Sequence, residues 1–155
     1  MRVTTYKVML TDNFHNMLVK EKSMNYESIS HIQSPDSVYK LMTEAFQLDK
    51  MAEEYIYLLA LNTKGNLNAV FELSHGTVSQ SLTTPREICI RCLLCGASRF
   101  IICHNHPSGD TSPSREDIHF TKILNEASRL IGLELVDHMI IGKNHSFYSY
   151  KEHQQ

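Results

Sequence analysis

The chain lacks a charge excess of either sign. Fifteen lysines and arginines stand against 17 aspartates and glutamates, for a formal net charge of −2. That balance offers no broad basic surface for unspecific phosphate binding, so direct contact with nucleic acid is not expected. Long hydrophobic runs are also missing. None approaches the roughly 20 apolar residues that a helix needs to cross a bilayer, so no membrane association is expected. Residues 1–10 are too polar for a secretory signal, and the expected compartment is the cytoplasm. Cysteine is scarce and clustered: Cys89, Cys92 and Cys95, then Cys103. The first three have the spacing of an iron–sulfur run, but no Cys-Pro completes it. In TPREICIRCLLCGAS, Thr84 can cap a helix, Pro85 can take its first position and Gly96 can end it. The three cysteines then fall near one helix face, as small buried hydrophobes. Reduced thiols fit the expected compartment.

What is present is enough for one globular domain. The chain has 155 residues, 42% of them apolar and 21% charged. Residues 1–33 read as an N-terminal extension with short strands at TTYKVML and NMLVK. Residues 34–150 carry the main domain, and 151–155 read as a loose tail. Ser34-Pro35 opens a helix whose Val38, Leu41, Met42 and Phe46 recur at helical spacing, ending near Gln47. EEYIYLLALN and LNAVFELSHG read as an antiparallel hairpin around a turn at 62–66. SQSLTT is a loop before the helix at 85–95. ASRFIIC is a short buried strand that delivers His104 at its end. Ser112-Pro113 opens a helix with an apolar stripe of Ile118, Ile123, Leu124, Ala127 and Leu130, closed by Gly132. ELVDHMIIG is a buried strand and HSFYSY a last one. The order is close to αββαβαββ, which predicts a mixed sheet flanked by helices.

The chemistry gathers between Cys103 and Asp117, in CHNHPSGDTSPSRED. His104 and His106 are one residue apart, so in extended chain both imidazoles point the same way, with Cα atoms roughly 6.5 Å apart. HPSGDTSP turns the chain, and Asp117 can swing back as a third ligand. Two histidines and one carboxylate leave the fourth corner of a zinc tetrahedron open, which is the mark of a catalytic site. Ser114 and Asp117 are expected in the first turn of the following helix, on one side of it. His138, in VDHMIIG, is the one further histidine near this chemistry. It reads as a structural residue or a support for the ligands, with Asp137 pointing to the opposite face.

The pattern His-x-His, seven residues, Ser, two residues, Asp is met by His104, His106, Ser114 and Asp117. It resembles the JAMM (MPN+) zinc-hydrolase signature, and HNHPSGDTSPSREDI closely resembles the RadC branch. LNTKGN at 61–66, HGTVSQSLTTPREI at 75–88 and LVDHMIIG at 135–142 extend the match, which covers residues 36 to about 150. The resemblance implies the α/β JAMM/MPN fold, which is cytidine deaminase-like, with a mixed curved sheet flanked by helices. It implies Zn2+ on His104, His106 and Asp117. It also matches Glu54 to the family's upstream glutamate. Glu53 is the rival, but consecutive strand residues face opposite ways, so only one can enter the site. Glu54 is then the expected general base and Ser114 the expected oxyanion donor. The implied substrate is a peptide or protein, including ubiquitin-like tails, cleaved at a peptide or isopeptide bond. Two other readings stand beside it. One is a DNA-repair-associated protein, although the helix-hairpin-helix pattern of full-length RadC proteins is not seen here. The other is a non-catalytic MPN-type interaction module, although such relatives typically lose the ligands that this chain keeps. The oligomeric state is not legible.

Overall fold

The computed structural model describes residues 1–76 and 83–153. Residues 79–82 of the expected SQSLTT loop lie outside them. The elements in order are β1 (Arg2–Leu10), β2 (Asn16–Asn25), α1 (Pro35–Phe46), β3 (Glu54–Leu61), β4 (Leu67–Gly76), α2 (Pro85–Leu94), β5 (Arg99–Asn105), α3 (Arg115–Leu130), β6 (Glu134–Ile141), β7 (Phe147–Ser149) and a single helical turn, α4 (Tyr150–His153). Among the described residues, seven strands join one sheet in the order β2-β1-β4-β3-β5-β6-β7. β1 runs parallel to β4 and β5 parallel to β6; the other neighbours are antiparallel. The sheet is therefore mixed.

Two apolar layers cover the sheet, and the strand sequences show why. β3 sends Tyr57, Leu59 and Leu61 to the layer that holds Val38, Leu41 and Met42 of α1. Its alternate residues Ile56, Leu58 and Ala60 meet Ile88 and Cys92 of α2 and Leu124 of α3. β5 divides in the same way, with Ile101 and Cys103 on the α1 side and Phe100 and Ile102 on the other. Central strands covered on both faces read as continuous apolar runs. Cys89 and Cys92 lie in the second layer, where burial pushes their thiols above the usual range. Cys95 stands just past the end of α2 and is only partly buried.

Four expectations need correction. The strands of the N-terminal extension are not short: β1 and β2 are 9 and 10 residues long, and β1 adds to the edge of β4. α3 begins at Arg115, two residues later than Ser112-Pro113 implied, with Ser114 as its cap. The reason is a reciprocal box in which Ser114 and Asp117 satisfy each other's backbone N–H groups. The buried stripe of α3 is Thr121, Leu124 and Ser128, while Ile118 and Leu130 are exposed. Apolar residues on that helix therefore mark its buried face less well than its small polar ones. Last, residues 151–153 are not loose. The Lys151 N–H bonds Asp137 Oδ1 at 3.0 Å, and the Glu152 N–H bonds Ser149 Oγ at 3.3 Å, which winds them into α4.

Candidate metal centre

His104 lies in β5, opposite Ile56 of β3 and two residues beyond Ile102. It faces the α2/α3 side of the sheet with those two residues and is 2% exposed. His106 follows one residue past the strand end. The turn beyond it depends on Gly109, whose φ of +83° suits glycine and whose N–H bonds His106 O at 2.8 Å. This folds the chain back until the Asp110 carbonyl reaches His106 Nδ1, at 2.7 Å. A carbonyl only accepts, so Nδ1 carries a proton, and in the neutral ring His106 Nε2 presents a lone pair. Asp117 comes from the first turn of α3. Its Oδ2 accepts from the Ser114 N–H at 2.8 Å and from the Ser114 hydroxyl at 2.6 Å.

These elements bring three atoms together. His104 Nε2 and His106 Nε2 are 3.1 Å apart. Asp117 Oδ1 is 3.3 Å from His104 Nε2, and Oδ2 is 3.3 Å from His106 Nε2. Among the described residues this is the one group of three whose donor atoms could close on a metal ion. Ligands 2.0–2.1 Å from a tetrahedral zinc ion are separated by about 3.3–3.4 Å, so the spacing fits such an ion. The donor set fits as well, because nitrogen lone pairs and a carboxylate held so close repel unless a cation or protons lie between them. The bond with Asp117 raises the His106 pKa against the opposing effect of burial. Burial would raise the Asp117 pKa, but its bonds with His104 and His106 outweigh this and hold it well below the carboxylate range.

A cleft of about 650 Å³ opens over these atoms. Ile56, Ile102 and Phe120 supply apolar walls, and Glu54, Ser114 and Glu116 supply polar ones. Glu54 enters because it is two residues before Ile56 on β3 and so shares its face. Glu53 is exposed and does not line the cleft, whereas Glu54 is half-buried. Asn105, between the two histidines, holds the start of β3. Its Oδ1 accepts from the Tyr55 N–H at 2.8 Å and its Nδ2 donates to Glu53 O at 3.0 Å.

Behind the ligands lies a second set of side chains. His104 Nδ1 is 2.9 Å from His138 Nε2, and His138 Nδ1 is 2.6 Å from Thr121 Oγ1. Burial, then the neighbouring His104, holds the His138 pKa well below its usual value. Tyr150 stacks on the His138 ring with centroids 4.9 Å apart. The sequence reading passed over Asn105, Thr121 and Tyr150. Thr121 had one signal, its place four residues after Asp117 on the same helix face.

The model of the RadC-like JAB domain family matches residues 32–155. The chain belongs to this family. Among similar proteins, the UPF0758 protein of Alkaliphilus metalliredigens is 44% identical over 121 residues, covering 78% of this chain and 51% of that protein. The UPF0758 protein of Clostridium acetobutylicum is 42% identical over 118 residues, covering 76% and 50%. That of Clostridium tetani is 41% identical over 117 residues, covering 76% and 50%. The chain thus spans about half the length of the curated relatives it matches. The RadC-like JAB match contains all of α1 through β7, and with them the three candidate ligands and the cleft. β1 and β2 fall before it. Among the described residues, no helix is long and apolar enough to cross a membrane.

Proposed function

We propose that this chain is a zinc-dependent hydrolase that cleaves a peptide or isopeptide bond, with His104, His106 and Asp117 holding the ion. The observation that carries this reading is the cluster of acceptor atoms on the wall of a cleft that Glu54 also lines. Three protein ligands leave a corner for solvent or substrate, as in catalytic zinc sites. Zinc held there supplies Lewis acidity, which lowers the pKa of water toward neutrality and polarises a carbonyl. Glu54 takes a proton from the attacking water and later gives it to the leaving amine. The Ser114 hydroxyl holds Asp117 before the reaction and turns to donate to the oxyanion as the carbonyl becomes tetrahedral. Asp117 keeps its bond from the Ser114 N–H throughout. The substrate is a peptide or protein whose extended tail, ubiquitin-like tails included, lies along the cleft against Ile56, Ile102 and Phe120.

The test is turnover by zinc-loaded protein on a panel of peptide and isopeptide tails. Glu54→Gln is expected to keep one zinc and lose about 10²–10⁴-fold in kcat, the usual share of general acid–base catalysis. Glu53→Gln and Glu116→Gln are expected to stay near the wild type. Loss of turnover in Glu53→Gln or Glu116→Gln, with Glu54→Gln active, would reassign the base. Activity equal to the wild type in all three would sink the glutamate mechanism.

A further inference from the structure

Thr121 Oγ1 is 2.6 Å from the carbonyl oxygen of Asp117 and 2.6 Å from His138 Nδ1. Its hydroxyl has one proton, and the carbonyl can only accept, so that proton goes to Asp117 O. The oxygen of Thr121 must then accept from His138, which puts the His138 proton on Nδ1. His138 is 2% exposed, which disfavours a charge on its ring, and its two nitrogens meet the Thr121 hydroxyl and the His104 ring. A neutral imidazole protonated at Nδ1 has only a lone pair at Nε2. That lone pair faces His104 Nδ1 at 2.9 Å, so His104 must be the donor. His104 therefore keeps a proton at Nδ1, and once its ring is neutral it presents a bare Nε2 to His106 and Asp117. The proton direction is set from the helix backbone of α3, through Thr121 and His138, to the ligand. Tyr150, stacked at 5° to the His138 ring, and Phe120, edge-on at 6.2 Å, keep that ring from turning.

We infer that Thr121 and His138 are a positioning pair that holds His104 in its metal-ready tautomer and so sets the affinity of the site for zinc. The inference rests on reading the site as a zinc centre, and it stands whether or not the chain hydrolyses anything. His106 has its own arrangement, with the Asp110 carbonyl in the equivalent place. The two ligands thus differ in kind. His106 is oriented by a turn that its own sequence neighbourhood forms, whereas His104 is oriented by residues 17 and 34 positions downstream, on α3 and β6. Partners of this type commonly change metal affinity by about 10–100-fold.

The experiment measures zinc affinity by competition with a chromophoric chelator. It also reads the imidazole tautomers of zinc-free protein from nitrogen NMR of labelled histidine in alkaline buffer. Thr121→Val removes the acceptor for His138 at nearly constant shape, and Thr121→Ser keeps it. Thr121→Val is expected to bind zinc about 10–100-fold more weakly and to spread the His104 proton over both ring nitrogens, while Thr121→Ser keeps the wild-type values. His138→Leu is expected to lose at least as much affinity as Thr121→Val. Should that buried substitution fail to fold, the threonine pair decides alone. Affinity of Thr121→Val equal to the wild type would overturn the inference, as would an unchanged His104 tautomer. A wild-type protein that binds no zinc would instead overturn the metal reading beneath it.

Discussion

At the scale of single residues, the site is a contest between burial and pairing, and His106 shows its sign. Its bond with Asp117 raises its pKa in the zinc-free protein, with burial opposing. A histidine so raised adds stability that is complete below its unfolded value, about 6.5, and is lost as pH rises through the folded value. Zinc asks for the opposite, because the ligand must be neutral. Zinc binding near neutral pH is therefore expected to release protons, which calorimetry in buffers of different ionisation enthalpy would detect. Zinc-free wild type is expected to lose its thermal advantage over His106→Ala as pH rises from mildly acid to alkaline. A constant difference across that range would remove the His106–Asp117 contact as the cause. Ser114 adds a second residue-scale expectation. Its replacement by alanine removes a helix cap worth about 1 kcal/mol and one of the bonds that hold Asp117. Stability and zinc affinity are both expected to fall, together with a loss of about 10²–10³-fold in kcat if the hydroxyl also serves the oxyanion.

At the scale of elements, what matters is how the start of β3 and the turn after β5 are held over the ligands. Asn105 is 2% exposed and bridges the two strands through Tyr55 N–H and Glu53 O. Asn105→Ala leaves the partly buried Tyr55 N–H without its acceptor, which costs about 1 kcal/mol. The same change loosens the backbone on either side of Glu54. Chemical denaturation is expected to report the stability loss, while zinc stoichiometry stays at the wild-type level and turnover drops. Gly142, at the end of β6, packs directly beneath the turn that carries His106. A Cβ there would stand 2.6 Å from Thr111 Cγ2 and 3.2 Å from Gly109 O. Gly142→Ala is expected to cost about 1–3 kcal/mol through overpacking and to displace the turn. Wild-type stability and zinc affinity in this variant would show that the turn is free to move.

At the scale of the whole molecule, the sheet extends beyond the part that the family match covers. β1 and β2 fall before residue 32, yet β1 pairs with β4 and Val3 is 4% exposed within the α1-side core. Removing residues 1–26 would bare the β4 edge and open that core. An unpaired edge invites association between copies. The truncated protein is expected to unfold at lower temperature and to scatter more light, and to retain zinc affinity, because two strands, β4 and β3, separate β1 from β5. A truncation as stable and monodisperse as the full chain would show that the hairpin is accessory to the fold.

The elements that the sequence by itself determined are those whose pattern is local. The apolar runs in EEYIYLLALN and ASRFIIC, the Ser34 and Thr84 caps before proline, and the His-x-His spacing each follow from neighbouring residues. Strand alternation says only that one of Glu53 and Glu54 can enter the cleft; the preference for Glu54 rests on the spacing of the resembling family. Only the tertiary structure decided where α3 turns its faces, that residues 151–153 wind back onto Asp137, and that β1 closes on β4. Each of these depends on contacts between residues distant in the chain, and no periodicity records them. The same holds for Thr121, Asn105 and Tyr150. A threonine in a helix or an asparagine between two histidines carries no chemical signal until folding sets it beside an imidazole or a strand backbone. The candidate ligand types are written in one short stretch, whereas His138 and Thr121, the side chains behind His104, come from β6 and α3, brought alongside β5 by the sheet.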